Sequence, residues 1–135
     1  MKIFIITEGG RRMGFGHLTR CMGIYEAFEE RRKDPFFIVN GDESVKGLFK
    51  GKRYKIFDWL KQKRRLYKII EGSDMVVVDS YLAKPDIYKN ISRLTRKAVW
   101  LDDDRRINYP DGVVLNGSMG ARYVLLRREF WRVPR

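Results

Sequence analysis

The sequence predicts a doubly wound α/β fold on a mainly parallel sheet, and three observations predict it. Short apolar runs alternate with segments of helical periodicity along the chain, the pattern of successive βαβ units. The clearest run, Met75-Val76-Val77-Val78, is continuously apolar, which suits a strand covered by helices on both faces. A length of 135 residues with 44% hydrophobic and 13% aromatic content fits one folded domain with its own core, spanning 1–135.

Each element has its own signal. Residues 2–7 (KIFIIT) read as a buried strand closed by Gly9-Gly10. Residues 17–32 set Leu18, Cys21, Met22, Tyr25 and Phe28 on one helical face. A second strand over 36–40 (FFIVN) ends at Gly41, followed by a short helix over 43–50 and a brief strand over 54–57. The segment 59–71 is amphipathic, with Trp59, Leu66 and Ile70 on one stripe and basic residues opposite. After the valine strand comes Asp79-Ser80-Tyr81, then Pro85 in the first turn of a helix carrying Ile87, Tyr88, Ile91 and Leu94. Residues 98–101 (AVWL) lead into Asp102-Asp103-Asp104, 112–115 (GVVL) into Asn116, and Tyr123-Val124-Leu125-Leu126 read as a further strand. Pro134 reads as the start of a linker.

Composition excludes several functions. Cys21 is the only cysteine and His17 the only histidine, so there is no internal disulfide, cysteine metal cluster or His-rich zinc site. No apolar run approaches the ~20 residues of a membrane span, and Ile3–Ile6 is too short for a signal-peptide core. A cytoplasmic protein is expected. The net charge is +12, and ten Lys or Arg residues lie between Lys46 and Lys68 beside one acid, Asp58. Such a stretch attracts polyanions. No nucleic-acid-binding pattern organises it, so a solvated basic face is the expectation and nucleic acid is not the expected partner.

Ligands of open α/β sheets bind beyond the carboxyl ends of the strands. Those ends carry Thr7-Glu8, Asn40, Asp79-Ser80-Tyr81, Asp102-Asp103-Asp104 and Asn116. The loop GGRRMGFGH after the first strand combines close backbone approach with a helix N-terminus, which suits a phosphate, a diphosphate or a developing negative charge. It is not a P-loop, because Phe15-Gly16 stand where Lys and Ser/Thr are required. Nor is it a dinucleotide fingerprint: Thr19 replaces the third glycine and Asn40 the ribose-binding acid. His17, in the first turn of the helix, is placed where the positive helix end favours a neutral ring able to accept a proton; by position alone, a lone histidine is more often a surface or capping residue than a base. Tyr81 fits a sugar-binding or a core role, and Asp102–Asp104 fit caps and sugar-hydroxyl acceptors.

These motifs, in this order, resemble the N-terminal domain of the UDP-sugar hydrolases of pseudaminic-acid biosynthesis, a family that includes spore-coat polysaccharide biosynthesis proteins. The resemblance rests on Gly14-Phe15-Gly16-His17 with Arg20-Cys21, on Asp79-Ser80-Tyr81, on Asp102-Asp103, on Asp111 to Asn116, and on Tyr123 through Phe130. The family's R-x-D before the glycines is absent, with Ile6 and Glu8 in its place. The family is similar in fold to GT-B glycosyltransferases, in which two Rossmann-like domains face a cleft. The resemblance implies that this chain is the sugar-side half, that a second α/β domain holds most of the UDP pocket, and that water attacks the anomeric carbon with release of UDP. It makes His17 the general base and Tyr81 its catalytic neighbour. Gly14, Phe15, Gly16, Arg20, Asp79, Asp102, Asp103 and Asn116 become candidate substrate contacts, with no metal and no cofactor. The alternatives are a GT-B glycosyltransferase domain, in which His17 deprotonates an acceptor hydroxyl, and a non-catalytic domain binding nucleotide-sugars or polyanions.

Overall fold

The computed structural model describes residues 1–116, and the expected strand at Tyr123–Leu126, the Tyr123–Phe130 motif and Pro134 lie outside them. Six strands, β1 (Ile3–Glu8), β2 (Phe36–Asn40), β3 (Tyr54–Ile56), β4 (Ser73–Asp79), β5 (Thr95–Leu101) and β6 (Val113–Leu115), form one sheet. Its order is β3-β2-β1-β4-β5-β6 and every pairing is parallel. This is the strand order of a Rossmann-like doubly wound sheet, as the apolar runs predict.

Strand parity divides the core into two layers. Ile3, Ile5, Phe37, Val39, Met75, Val77, Val99 and Leu101 pack with Leu18, Cys21, Tyr25 and Phe28 of α1 (Gly16–Glu30) and with the 3₁₀ helix Glu43–Phe49. The alternate residues Ile6, Ile38, Val76, Val78 and Trp100 pack with Leu66 and Ile70 of α2 (Lys63–Ile70) and Ile87, Tyr88 and Ile91 of α3 (Pro85–Leu94). Each such side chain contributes roughly 1.5–3 kcal/mol on burial, which is why runs without polar alternation settle in the middle of the sheet.

Two boundaries differ from the periodicity. Trp59 is fully buried in the α2 layer, as its stripe predicts, but α2 itself begins only at Lys63. Residues 58–62 form a turn instead, because the Asp58 carboxylate accepts the Leu60 and Lys61 N–H groups, while Trp59 Nε1 donates to the Thr7 carbonyl at 2.8 Å. At the other end, α1 stops at Glu30, where the N–H groups of residues 31–33 fold back onto the carbonyls of Phe28 and Glu29, with Arg32 at φ 58°.

The chain winds outward from β1 through β2 to β3 and, after crossing back, from β4 through β5 to β6. The order therefore reverses between β1 and β4, whose neighbouring carboxyl ends open the crevice where ligands of such sheets bind. In register, Thr7 of β1 lies beside Asp79 of β4.

Candidate functional site

The pocket at this switch point is about 320 Å³ and is lined by Met13, Gly16, His17, Arg20 and Tyr81. The glycine loop forms its β1 rim. Gly10 and Gly14 exchange backbone hydrogen bonds at 3.0 and 2.8 Å, closing a tight turn around Arg11-Arg12-Met13. Gly14 sits at φ +80°, where a side chain would be strained. At Gly9 a Cβ would fall 2.4 Å from Leu18, so the bare backbone is what lets α1 approach the strand. Phe15 occupies the N-cap position of α1 and is exposed, and its side chain makes no capping hydrogen bond. The first-turn N–H groups of an α-helix lack intrahelical acceptors, so this end presents donors beside the pocket. Gly16 differs from the other loop glycines: its φ is ordinary and a Cβ would meet nothing within 4 Å. The fold does not require a glycine there, and the space its missing side chain leaves belongs to the pocket.

Asp79 is the hub behind the pocket. It follows Met75 and Val77 in phase, so strand parity sends its side chain to the α1 layer, where His17, Arg20 and Cys21 sit on successive turns. Its Oδ1 lies 2.7 Å from His17 Nδ1 and 2.6 Å from Arg20 Nη2, and its Oδ2 lies 2.8 Å from Arg20 Nε and 3.6 Å from Cys21 Sγ. The side chain is 1% exposed. Burial pushes its pKa up, but hydrogen bonds from His17 and Arg20 outweigh this and hold the carboxyl below its ordinary value. An ionised carboxylate only accepts, so His17 presents an N–H at Nδ1, and the neutral tautomer with that hydrogen has its lone pair at Nε2. This acid–histidine pair orients the ring as the buried aspartate of a hydrolytic triad does. The His17 side chain is 12% exposed, and Tyr81 packs edge-on against its ring at 4.4 Å between centroids. The free thiol of Cys21 is buried and its pKa is raised, chiefly by that burial and next by Asp79.

Arg20 grips Asp79 with two nitrogens and Asp103 Oδ2 with the third, at 2.8 Å. Bonding to Asp79 raises its pKa still further against the opposing effect of burial, so it is a permanent cation with both sides occupied by carboxylates.

The β4 rim is built as closely. Glu8, at the end of β1, is 2% exposed and accepts Ser80 Oγ–H and the Tyr81 N–H, the latter at 3.0 Å. Ser80 Oγ accepts the N–H groups of Leu82 and Ala83 in turn. Arg106 Nη2 donates to the carbonyls of Ser80 and Ala83 and to the Tyr88 hydroxyl, whose pKa is pushed up to about 12, first by burial.

The expected residues therefore separate. His17, Tyr81, Gly16 and Arg20 line one pocket, with Gly14 and Phe15 on its loop rim and Asp79 buried behind it, without an exposed oxygen for a ligand. Asp103 reaches the pocket through Arg20. Asp102 caps the loop after β5: it accepts Asp104 N–H, Arg106 N–H and Tyr109 O–H, which keep its pKa low against the opposing pull of burial. Asn116 follows β6 at the sheet edge, two strands beyond β4, and is not among the lining residues. Sequence reasoning placed Glu8 at a strand end without giving it a role, and did not single out Met13. The signal for Glu8 was its phase, since it continues the buried series Phe4, Ile6 and so had to enter the core or a bonded niche. Among the described residues, no three His, Cys, Asp or Glu side chains are grouped to hold a metal ion, and no helix is long and apolar enough to cross a membrane.

No protein-family model and no solved structure matches the chain. It is similar to the uncharacterized protein MJ1062 of Methanocaldococcus jannaschii, at 25% identity over 160 aligned residues. That match covers the whole of this chain and 33% of the relative, so the chain spans about a third of the relative's length.

Proposed function

We propose that this chain is the sugar-side part of a UDP-sugar hydrolase, with His17 as the general base. The observation that carries the reading is the 2.7 Å bond from His17 Nδ1 to a buried, ionised Asp79, which leaves Nε2 of a pocket-lining ring as the proton acceptor. In the reaction, Nε2 takes a proton from water as the water oxygen bonds to the anomeric carbon. The anomeric C–O bond breaks, its electron pair leaves with UDP, and configuration inverts. Proton acceptance of this kind is worth roughly 10²–10⁴-fold in rate. The start of α1 offers N–H donors and a positive dipole to the departing diphosphate.

Charge favours placing the sugar, not the phosphates, against His17. Among the described residues Arg20 is the one Lys or Arg lining the pocket, and its guanidinium already serves two carboxylates, Asp79 and Asp103. A neutral, hydroxyl-bearing ring fits such a surface, and the partly exposed Tyr81 offers it an aromatic wall. The uracil and most of the diphosphate contacts then fall to a second α/β domain, with the start of α1 meeting only the leaving oxygen's side, and the greater length of the M. jannaschii relative is consistent with additional domains beyond the matched segment. The same dyad serves a GT-B transferase if an acceptor hydroxyl replaces water.

The test is a panel of UDP-sugars in ¹⁸O-labelled water, given to this chain alone and to the chain joined to its partner domain. The joined protein releases UDP and sugar, with ¹⁸O in the sugar only, and His17→Ala slows the release roughly 10²–10⁴-fold; the chain alone turns over negligibly. Label in UDP, or release that His17→Ala leaves nearly unchanged, sinks the hydrolase reading, and release only on addition of an acceptor alcohol turns it into the transferase.

A further inference from the structure

We infer that Glu8 is a positioning residue of this pocket: from the end of β1 its buried carboxylate clamps the turn after β4 and thereby holds Tyr81 against His17. A carboxylate taken out of water costs several kcal/mol unless it is bonded, and an apolar side chain in phase with Phe4 and Ile6 would pack there without that cost. Among the described residues no cation forms an ion pair with Glu8. What the carboxylate does that an apolar group cannot is accept two donors of one turn, Ser80 Oγ–H and Tyr81 N–H. Ser80 Oγ carries the constraint on to the Leu82 and Ala83 N–H groups, at 3.1 and 3.0 Å. Arg106 closes the turn from the other side through the Ser80 and Ala83 carbonyls, both at 3.1 Å. The backbone of 80–83 is thus fixed from β1 and from the loop after β5, while the Tyr81 side chain, 50% exposed, has its ring against His17. A half-exposed side chain on a turn owes its place to the backbone beneath it, and Glu8 is the group that sets that backbone.

The inference deepens the proposed hydrolase reading but rests on it only for its kinetic consequence, so the deciding experiment is spectroscopic. His17 is the only histidine, so its ring protons give unique NMR signals, displaced by the ring current of a tyrosine at 4.4 Å. Tyr81→Ala marks where those signals go when the tyrosine is lost. In a folded Glu8→Ala protein they move most of the way to that mark. In Glu8→Gln, whose amide oxygen still accepts from Tyr81 N–H, they stay near the wild-type position. A carboxylate with a merely structural role would lower the melting temperature and leave the signals in place, and that result overturns the inference. If Glu8→Ala does not fold, Ser80→Ala decides by the same measure: it removes the hydroxyl relay, and unmoved signals again overturn the inference. In the joined protein, Glu8→Ala lowers kcat by roughly 10–10²-fold, the scale of a misplaced pocket group. Signals that move while no UDP-sugar is hydrolysed by any variant, wild type included, leave Glu8 in its positioning role and remove the hydrolase reading alone.

Discussion

The two rims of the pocket are built on opposite terms. On the β4 side, Asp79 accepts from three side chains and the turn after it is bonded to Glu8 and Arg106. On the β1 side, residues 10–15 are held by the reciprocal Gly10–Gly14 pair and by the Arg11 N–H on Asp42, with Arg11, Arg12, Met13 and Phe15 open to solvent. The bonded groups stand on the sheet, on the helix packed against it or on a turn tied to both, and the exposed groups stand on a loop.

The sharpest way to break this comparison is Asp79→Ala. It strips Arg20 and His17 of a buried shared acceptor and should lower the unfolding free energy by about 3 kcal/mol or more, read by urea denaturation. Met13→Ala on the opposite rim should stay within about 0.5 kcal/mol. Equal losses would mean that the β4 side holds no special share of stability.

His17→Ala comes next. Turnover of the joined protein should fall roughly 10²–10⁴-fold with little change in substrate Kd. From the sequence alone a loop-edge histidine should contribute almost nothing to stability. The 12% exposure of its side chain and its bond to a charged, buried partner change that expectation to a loss of about 1–2 kcal/mol. A single-turnover rate and a melting curve on the same protein check both halves.

Acid should act on the same rim, through Asp79, and on the loop after β5, through Asp102. Asp79 and Asp102 have native pKa values below their ordinary 3.8, so near and below that value the unfolded chain binds protons that the native state refuses. Their contribution is complete above the unfolded pKa and is lost as pH falls through the native one, at up to about 1.4 kcal/mol per pH unit for each carboxyl. Urea midpoints between pH 7 and pH 2 should show this fall, and Asp79→Asn should make it shallower.

The smallest effects separate two glycines of the loop rim. Gly14→Ala, at φ +80°, should cost about 1 kcal/mol. Gly16→Ala, with ordinary φ and open space, should be neutral or stabilising by about 0.5 kcal/mol, yet should weaken sugar binding by filling the pocket. Unchanged binding in Gly16→Ala would detach that glycine from the ligand.

Most of the fold was legible because its strands are buried on both faces, and Ile3–Ile6, Phe36–Val39 and Met75–Val78 announce that burial without alternation. The start of α2 was not, since Trp59 keeps helical spacing while the Asp58 carboxylate turns the chain beneath it. The rim of the site was legible from topology, yet its internal pairing was not. Nothing in the spacing of GFGH and DSY says that one nitrogen of His17 meets one oxygen of Asp79. Strand parity carried part of that information, sending Asp79 with Val77 toward α1 and Glu8 with Ile6 away from it. The distance between strand end and helix start completes it, and that is a property of packing.

The His17–Asp79 bond also joins positions 62 residues apart. On a ribosome, β1, α1, β2 and β3 have all been made before β4 exists, and through that interval Arg20 and His17 have no carboxylate between them. Long-range parallel pairing is slow to nucleate, because the loop entropy is lost before any contact forms. The aimed ring therefore requires β4 to be made: a chain arrested before β4 has the glycine loop and the histidine but no Asp79 to orient the ring, and the signal of that single histidine should report when the fourth strand docks.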